Sequence, residues 1–251
     1  MALVNSLYSQ AAKGALCKAF GVRLVANPSV VQLAKNSGFD ALFIDLEHST
    51  LSINDASLLC MAGLQIGITP FVRVPHQCGN GFVQRVMDGG AMGAAVTISK
   101  YPPFGCRSMT GQLPIFELRS TLANTIIDET NAHGSSVLLM IETRDSVDKV
   151  EEIAAVDGVD VLLIGSNDLA IELGVPGQFE SSEFRNALEK VSQACQKNNK
   201  IFGLAGIYDA PKIQSWALNT LGARFILGQQ DSGLLATGGK RCAEAISEVL
   251  K

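Results

Sequence analysis

Short, almost uninterrupted apolar runs recur along this chain, and helix-like stretches separate them. Such runs are typical of parallel strands that are buried on both faces. We predict eight strands, at Val22–Ala26, Ala41–Asp45, Pro70–Val74, Ala94–Ser99, Val137–Glu142, Val161–Gly165, Lys200–Leu204 and Arg224–Gly228. The predicted helices between them are Ser29–Ser37, Ile53–Gly63, Asn80–Asp88, Ser146–Val156, Ser182–Asn198, Ala210–Leu218 and Gly233–Leu250. This alternation predicts an α/β fold, a (β/α)8 TIM barrel that forms one domain over residues 1–251.

Charge and cysteine usage narrow the class of function. The net charge is −4 and no segment concentrates Lys and Arg, so we predict no nucleic-acid partner. No apolar run approaches the ~18 residues that span a bilayer, so we predict no membrane partner. The six cysteines form no CxxC pair, and the first thirty residues lack the pattern of a signal peptide. We therefore expect reduced thiols and a cytoplasmic protein.

Two carboxylates end neighbouring predicted strands. Glu142 and Asp168 lie 26 positions apart, about one β/α unit, at the end of the barrel where catalytic groups collect. Two bare carboxylates repel each other, and a shared cation relieves that repulsion. Two oxygen ligands with open positions suit Mg²⁺ or Mn²⁺. The alternative is that these residues are helix caps or surface ion pairs, since Asp168 precedes a helix-like segment.

Three more ionisable residues follow strand ends. His48 comes three residues after Asp45, and a carboxylate beside a histidine can orient the ring for proton transfer. The alternative is an exposed loop histidine. Arg73 lies at the end of an apolar strand and therefore needs an anionic partner. That partner is either a protein carboxylate such as Asp45 or Glu47, or the negative charge of a substrate or enolate.

Several motifs, taken in order, resemble those of the HpcH/HpaI family of class II, metal-dependent 2-keto acid aldolases. They are Phe39–His48, Val72–Pro75, Tyr101–Arg107, Ile141–Arg144, Val156–Asp160 and Ile164–Leu169. The resemblance covers roughly residues 20–250. It implies a carbon–carbon lyase that cleaves a 4-hydroxy-2-keto acid to pyruvate and an aldehyde through a metal-bound enolate.

The resemblance also implies roles for individual residues. The metal ligands would be Glu142 and Asp168, with Mg²⁺ or Mn²⁺ as the metal and Co²⁺ or Zn²⁺ as other options. Arg73 would stabilise the enolate, and His48, oriented by Asp45, would relay protons. The substrate carboxylate would be held by Arg73 and by the backbone of Gly165, Ser166 and Asn167. Family members form homo-oligomers, commonly hexamers, in which the last helix packs on a neighbouring subunit.

The chain departs from the family pattern in two places. Between Asp88–Gly93 and Tyr101 only Ala94–Lys100 remains of a full β/α unit, so the barrel is predicted to have a shortened fourth unit. We expect Ala94–Ser99 to be recruited as the fourth strand, followed by a helix within Leu118–Ala132. Met140 stands where the family usually has a polar residue, and a thioether cannot donate a hydrogen bond. Two alternatives therefore stay open: an oxaloacetate-type decarboxylase with the same enolate chemistry, or a shortened paralogue with impaired or no catalysis.

Overall fold

Within residues 3–94 and 97–249, which the computed structural model describes, eight parallel strands form one sheet. They are β1 Cys17–Val22, β2 Ala41–Asp45, β3 Thr69–Arg73, β4 Gly93–Ala94, β5 Ser136–Ile141, β6 Val161–Gly165, β7 Ile201–Ala205 and β8 Phe225–Gln230. Hydrogen-bonded neighbours follow the order β3-β2-β1-β8-β7-β6-β5-β4. The carboxyl ends of all these strands therefore face the same side of the molecule.

The sheet is open and strongly curled, so the predicted closed (β/α)8 TIM barrel is wrong. Seven strands have five or six residues, whereas β4 has two and pairs with β5. Within the described part of the chain no strand ladder joins β3 to β4, although Met92 N donates to Pro70 O at 2.8 Å. Two residues offer too few backbone groups to bridge β3 and β5, which leaves the sheet open at this point.

The shortened unit also differs from the prediction beyond β4. Ala95 and Val96 of the predicted strand lie outside the described residues, and Thr97–Ser99 forms a 3-10 turn instead of a strand. The helix predicted within 118–132 begins later, at Ala123, and continues into a π-helical turn at Thr130–Gly134. It cannot begin at Leu118, because Leu118 has a φ of 57°, which an α-helix does not accommodate.

Eleven helices connect or flank the strands in the part of the chain that is described. They are α1 Ser6–Ala11, α2 Ser29–Asn36, α3 Ile53–Ile66, α4 Asn80–Asp88, α5 Ala123–Glu129, α6 Arg144–Asp148, α7 Val150–Ala154, α8 Ser166–Glu172, α9 Ser182–Lys197, α10 Pro211–Asn219 and α11 Asp231–Val249. The single helix predicted at 146–156 is thus divided into α6 and α7 at Lys149. No helix among these combines the length and apolar character that crossing a bilayer requires.

The first strand begins five residues earlier than the predicted strand at Val22–Ala26, and it ends four residues earlier. The backbone after Val22 leaves the sheet because the Asp231 carboxylate accepts its N–H groups. Leu24, which the prediction placed in a buried strand, is 61% exposed. An apolar run is therefore not sufficient to fix a strand when a buried side chain competes for its backbone donors.

Alternate strand residues fill the interior of the curled sheet. Phe71 of β3 and Phe225 of β8 meet edge to face there, with ring centroids 5.8 Å apart. Leu7 of α1 belongs to the same buried cluster. Two further apolar clusters lie between the sheet and its helices. Since side chains alternate along a strand, the inward positions that follow this interior cluster emerge at the carboxyl ends of the strands.

Candidate active site

A cavity of about 150 Å³ lies at the carboxyl ends of the strands. Its polar lining residues include Arg23, His48, Arg73, Glu142, Ser166, Asn167, Asp168, Tyr208 and Gln230. The inward register of the strands explains this convergence. Arg73 is two residues after Phe71, and Glu142 is two residues after Met140, so both point to the same side as the interior cluster. Seven of the eight predicted site residues line this cavity, and the exception is Asp45.

Arg73 is held by two carboxylates of the protein. Its Nε donates to Asp45 Oδ1 at 3.0 Å, and its Nη2 is bonded to Asp45 Oδ2. Its Nη1 lies 3.5 Å from Glu47 Oε2. The protein-carboxylate alternative for the partner of Arg73 therefore describes this structure. A guanidinium carries five N–H donors, so donors remain for a ligand in the cavity.

Asp45 is the most buried carboxylate at the site, with 1% of its surface exposed. Its Oδ1 also accepts the backbone N–H groups of Glu47 and His48, each at 3.0 Å. Burial alone would raise the pKa of Asp45, but hydrogen bonds from Arg73 and from these backbone groups outweigh it, and the pKa lies below its usual value. Asp45 therefore stays ionised and fixes both Arg73 and the start of the following loop.

His48 is placed differently from the prediction. Asp45 accepts from the backbone of His48, while the nearest carboxylate to the ring is Glu47, with Oε2 3.9 Å from Nε2. The imidazole side chain is 59% exposed at the mouth of the cavity. The carboxylate of Asp45 is paired with Arg73, and for this reason it does not orient the imidazole ring of His48.

Glu142 and Asp168 both line the cavity. The pKa of Glu142 is raised by burial and by the negative charge of Asp168, and Arg73 offsets this only in part. Within residues 3–94 and 97–249 neither carboxylate has an ion-pair partner within 4.0 Å. Glu142 is half-buried and Asp168 is exposed, and a divalent cation would stabilise two such carboxylates that share one cavity.

Gly165 makes room for the carboxyl group of Glu142. A Cβ atom at Gly165 would lie 2.7 Å from Glu142 Cδ, and closer still to Oε1 and Cγ. Glu142 therefore extends over the backbone of the residue that begins the turn into α8. Only a glycine allows this approach.

Helix α8 carries Asp168 in its first turn, but the helix-cap alternative does not fit. The N-cap residue is Gly165, and no side chain caps the helix. Asn167 Nδ2 donates to Gly206 O at 3.2 Å, which ties this turn to the end of β7. The hydroxyl of Ser166 is buried at the cavity and has no hydrogen-bond partner among the described residues.

The cavity wall contains three polar residues that the sequence analysis did not single out, namely Arg23, Tyr208 and Gln230. Arg23 was overlooked because the first strand was predicted too late, which put this residue inside a strand instead of just past its end. The described residues contain no group of three or more His, Cys, Asp or Glu side chains suited to a metal ion.

Residues 23–214 of the chain match the HpcH/HpaI aldolase/citrate lyase family. The chain is 55% identical to the 4-hydroxy-4-methyl-2-oxoglutarate aldolase of Hapsidospora irregularis, covering 99% of this chain and 97% of that one. It is 54% identical to the 4-hydroxy-4-methyl-2-oxoglutarate aldolase of Chaetomium globosum, again covering 99% of this chain and 97% of that one.

A solved structure has the same fold. The crystal structure of an HpcH/HpaI aldolase from Desulfitobacterium hafniense superposes with a TM-score of 0.88 at 27% identity, covering 96% of each chain. HpcH/HpaI aldolases generally depend on a divalent metal. The two carboxylates in the cavity are of the donor type that such an ion requires.

Proposed function

Since this chain belongs to the HpcH/HpaI aldolase/citrate lyase family and is a lyase that cleaves a 4-hydroxy-2-keto acid by a retro-aldol reaction, we propose a substrate with the skeleton of 4-hydroxy-4-methyl-2-oxoglutarate. The observation that carries this proposal is the pair Glu142 and Asp168, which line one cavity with Arg73. The identity to two enzymes of that description supports the choice of skeleton.

We propose that Glu142 and Asp168 hold a divalent cation, Mg²⁺ or Mn²⁺. Both are oxygen donors, and the pKa of Glu142 is raised first by burial and further by the negative charge of Asp168. When bound, such a cation acts as a Lewis acid toward the 2-keto acid group. Oxygen-only ligation favours Mg²⁺ or Mn²⁺ over Co²⁺ and Zn²⁺, which prefer nitrogen or sulfur donors.

The reaction then needs one proton removed and one returned. The proton of the C4 hydroxyl passes to a base, the C3–C4 bond breaks, and its electron pair delocalises onto the 2-keto group as an enolate. Protonation of C3 gives pyruvate. In this skeleton C4, C5 and the C4 methyl group leave as a second pyruvate, a ketone in place of the predicted aldehyde.

His48 is the proposed proton carrier. Its ring lies at the cavity mouth in contact with solvent, so it can exchange a proton with water. Glu47 lies beside the ring, with Oε2 3.9 Å from Nε2. Asp45 is proposed to act by holding Arg73, so that the remaining donors of the guanidinium face the oxygen that gains charge.

The turn from Gly165 into α8 is the proposed site for the C1 carboxylate. The first N–H groups of a helix have no partner within the helix. Backbone N–H groups of Gly165, Ser166 and Asn167, together with the unpaired Ser166 hydroxyl, would donate to that carboxylate. Met140 borders the cavity close by and offers no donor, so hydrogen bonding there depends on the backbone and on Arg73.

Deuterium exchange into the methyl group of pyruvate tests enolate formation directly. The protein in D₂O with Mg²⁺ should exchange these protons, and EDTA should stop the exchange. Glu142→Ala and His48→Ala should each abolish it, whereas Gly81→Ala should not, because Gly81 lies on α4 with open space around it.

Release of pyruvate from 4-hydroxy-4-methyl-2-oxoglutarate, followed with lactate dehydrogenase, then tests the skeleton. Binding of Mg²⁺ and pyruvate without any exchange would contradict the proposed chemistry and favour a non-catalytic paralogue. Loss of CO₂ from oxaloacetate without cleavage of the hydroxy acid would favour the decarboxylase alternative.

We also propose a homo-oligomer that covers α11. Every residue from Leu234 to Val249 is exposed in the single chain, including the apolar side chains of Leu235 and Ile246. Large exposed apolar side chains on a protruding helix are typical of an interface. Light scattering should give a mass that is a multiple of the 26.6 kDa chain, and a monomeric mass would contradict the proposal.

A further inference from the structure

Arg23 is the second guanidinium in the cavity, and its surroundings differ from those of Arg73. Its Nη1 donates to the neutral amide of Gln230, with Oε1 at 3.1 Å. Within residues 3–94 and 97–249 no carboxylate lies within 4.0 Å of the Arg23 guanidinium, whereas Arg73 has two. Asp45 and Glu47 compensate the charge of Arg73, whereas no carboxylate of the described residues compensates the charge of the Arg23 guanidinium in this way.

The backbone that carries Arg23 is fixed before any ligand binds. The carboxylate of Asp231, 2% exposed, accepts the N–H groups of Arg23, Leu24 and Val25 at 3.1, 3.0 and 2.7 Å. On β1, a Cβ at Gly21 would lie 2.8 Å from Gln230 Cγ, so β1 and β8 are closely packed at this point. Little conformational entropy is lost when a preorganised side chain of this kind binds a ligand.

Two neutral donors adjoin the guanidinium. The amide of Gln230 and the phenol of Tyr208 both line the cavity. Burial raises the pKa of Tyr208, so the phenol keeps its proton at neutral pH and can donate it in a hydrogen bond. These residues follow β1, β8 and β7, while the proposed metal ligands follow β5 and β6. A ligand that is anchored at the carboxylate pair would therefore extend its far end toward Arg23.

We propose that Arg23, with Gln230 and Tyr208, forms a subsite for the C5 carboxylate of a 2-oxo diacid. The inference rests on the proposed function, which places the C1 carboxylate of the substrate at the turn from Gly165 into α8, beside the cation held by Glu142 and Asp168. The C5 carboxylate belongs to the fragment that leaves when the C3–C4 bond breaks. Arg23 thus selects substrates whose leaving fragment is itself an oxo acid, and it discriminates against those with an apolar end.

The binding test uses ligands that have no C4 hydroxyl and therefore cannot undergo the cleavage. 2-Oxoglutarate carries the C5 carboxylate, and 2-oxopentanoate carries a methyl group in its place. Calorimetry with the Mg²⁺-loaded protein should show tighter binding of 2-oxoglutarate. Because a hydrogen bond to a charged group contributes about 1.5–3 kcal/mol, Arg23→Met should reduce the ratio of the two affinities roughly 10- to 100-fold.

Two more variants sharpen this test. Arg23→Lys keeps the charge without the planar fork and should retain part of the preference. Arg119→Met removes an exposed arginine outside the cavity, whose partner is Glu117, and should leave the ratio unchanged. An Arg23→Met protein that folds with wild-type stability and keeps the wild-type ratio would overturn the subsite.

A kinetic pair gives the second readout. 4-Hydroxy-4-methyl-2-oxoglutarate and 4-hydroxy-4-methyl-2-oxopentanoate differ only in carboxylate against methyl at C5, and the latter releases acetone. Arg23→Met should lower the ratio of their kcat/KM values by a similar factor, on the order of 10- to 100-fold. If the wild-type protein cleaves neither compound, the proposed function fails while the binding ratio still tests Arg23. If the protein cleaves both and the ratio is unaffected by Arg23→Met, only the subsite fails.

Discussion

Replacing Gly165 by alanine tests the proposed metal site with the addition of a single methyl group. The backbone of Gly165 has a φ of −87°, which alanine adopts without strain. The new Cβ would lie 2.7 Å from Glu142 Cδ and closer still to Oε1, and ordinary contact begins at 3.4 Å, so the carboxyl group must move by at least about 0.7 Å. Metal–ligand distances tolerate only about 0.2 Å. Gly165→Ala should therefore weaken Mn²⁺ binding by at least roughly 10- to 100-fold, the range found when a supporting group of a metal site is lost.

The same substitution should leave the fold almost unchanged. The clash is with the end of a flexible side chain, so the free energy of unfolding should change by less than about 1 kcal/mol. Isothermal titration with Mn²⁺ and urea unfolding of the metal-stripped protein measure the two effects separately. Gly81→Ala, which meets nothing within 4 Å, is the matched control and should bind Mn²⁺ as the wild type does. Wild-type affinity in Gly165→Ala would refute the assignment of Glu142 as a ligand.

Two further predictions concern stability. Asp45→Asn removes the buried charge that bonds Arg73, and urea unfolding at pH 7 should show a loss of about 1.5–3 kcal/mol. The pKa of Asp45 is lower in the folded state than in the unfolded state. Its contribution to the free energy of unfolding is therefore present above the unfolded pKa near 3.9 and disappears as the pH falls through the folded pKa. The difference in stability between Asp45→Asn and wild type should shrink in acid. A difference that stays constant with pH would contradict this. Mg²⁺ at about 100 times its Kd should raise stability by about 2.7 kcal/mol, measured by thermal unfolding, and Glu142→Ala should remove most of that gain.

The sequence predicted the residues of the cavity better than it predicted the closure of the sheet. Glu142 and Asp168 stand at the ends of apolar runs that match β5 and β6 closely, so their approach follows from strand register alone. The family and the aldolase activity were also predicted from ordered motifs, and the comparisons confirm both. The roles of individual site residues stay predictions.

What the sequence did not reveal depends on contacts between distant segments. The early end of β1, and with it the position of Arg23, is set by Asp231, which is 208 positions away. The spacing of three residues predicts Asp45 as a partner of the His48 ring. In the structure the Asp45 carboxylate instead accepts a hydrogen bond from Arg73 on the neighbouring strand. Local spacing cannot rank such competitors, because the stronger partner is brought close only by the sheet.

The position of the opening in the sheet is the reason why a shortened β/α unit is compatible with an aldolase. The proposed site residues follow β1, β2, β3, β5, β6, β7 and β8, and none follows β4. The seven longer strands therefore supply all the proposed site residues. The cost falls instead on the segment after it, where polar side-chain atoms of Ser99, Tyr101, Arg107 and Thr130 are buried without hydrogen-bond partners among the described residues. Each such atom costs about 1–3 kcal/mol of stability, and a loss of stability in that segment leaves the charges that face the substrate in place.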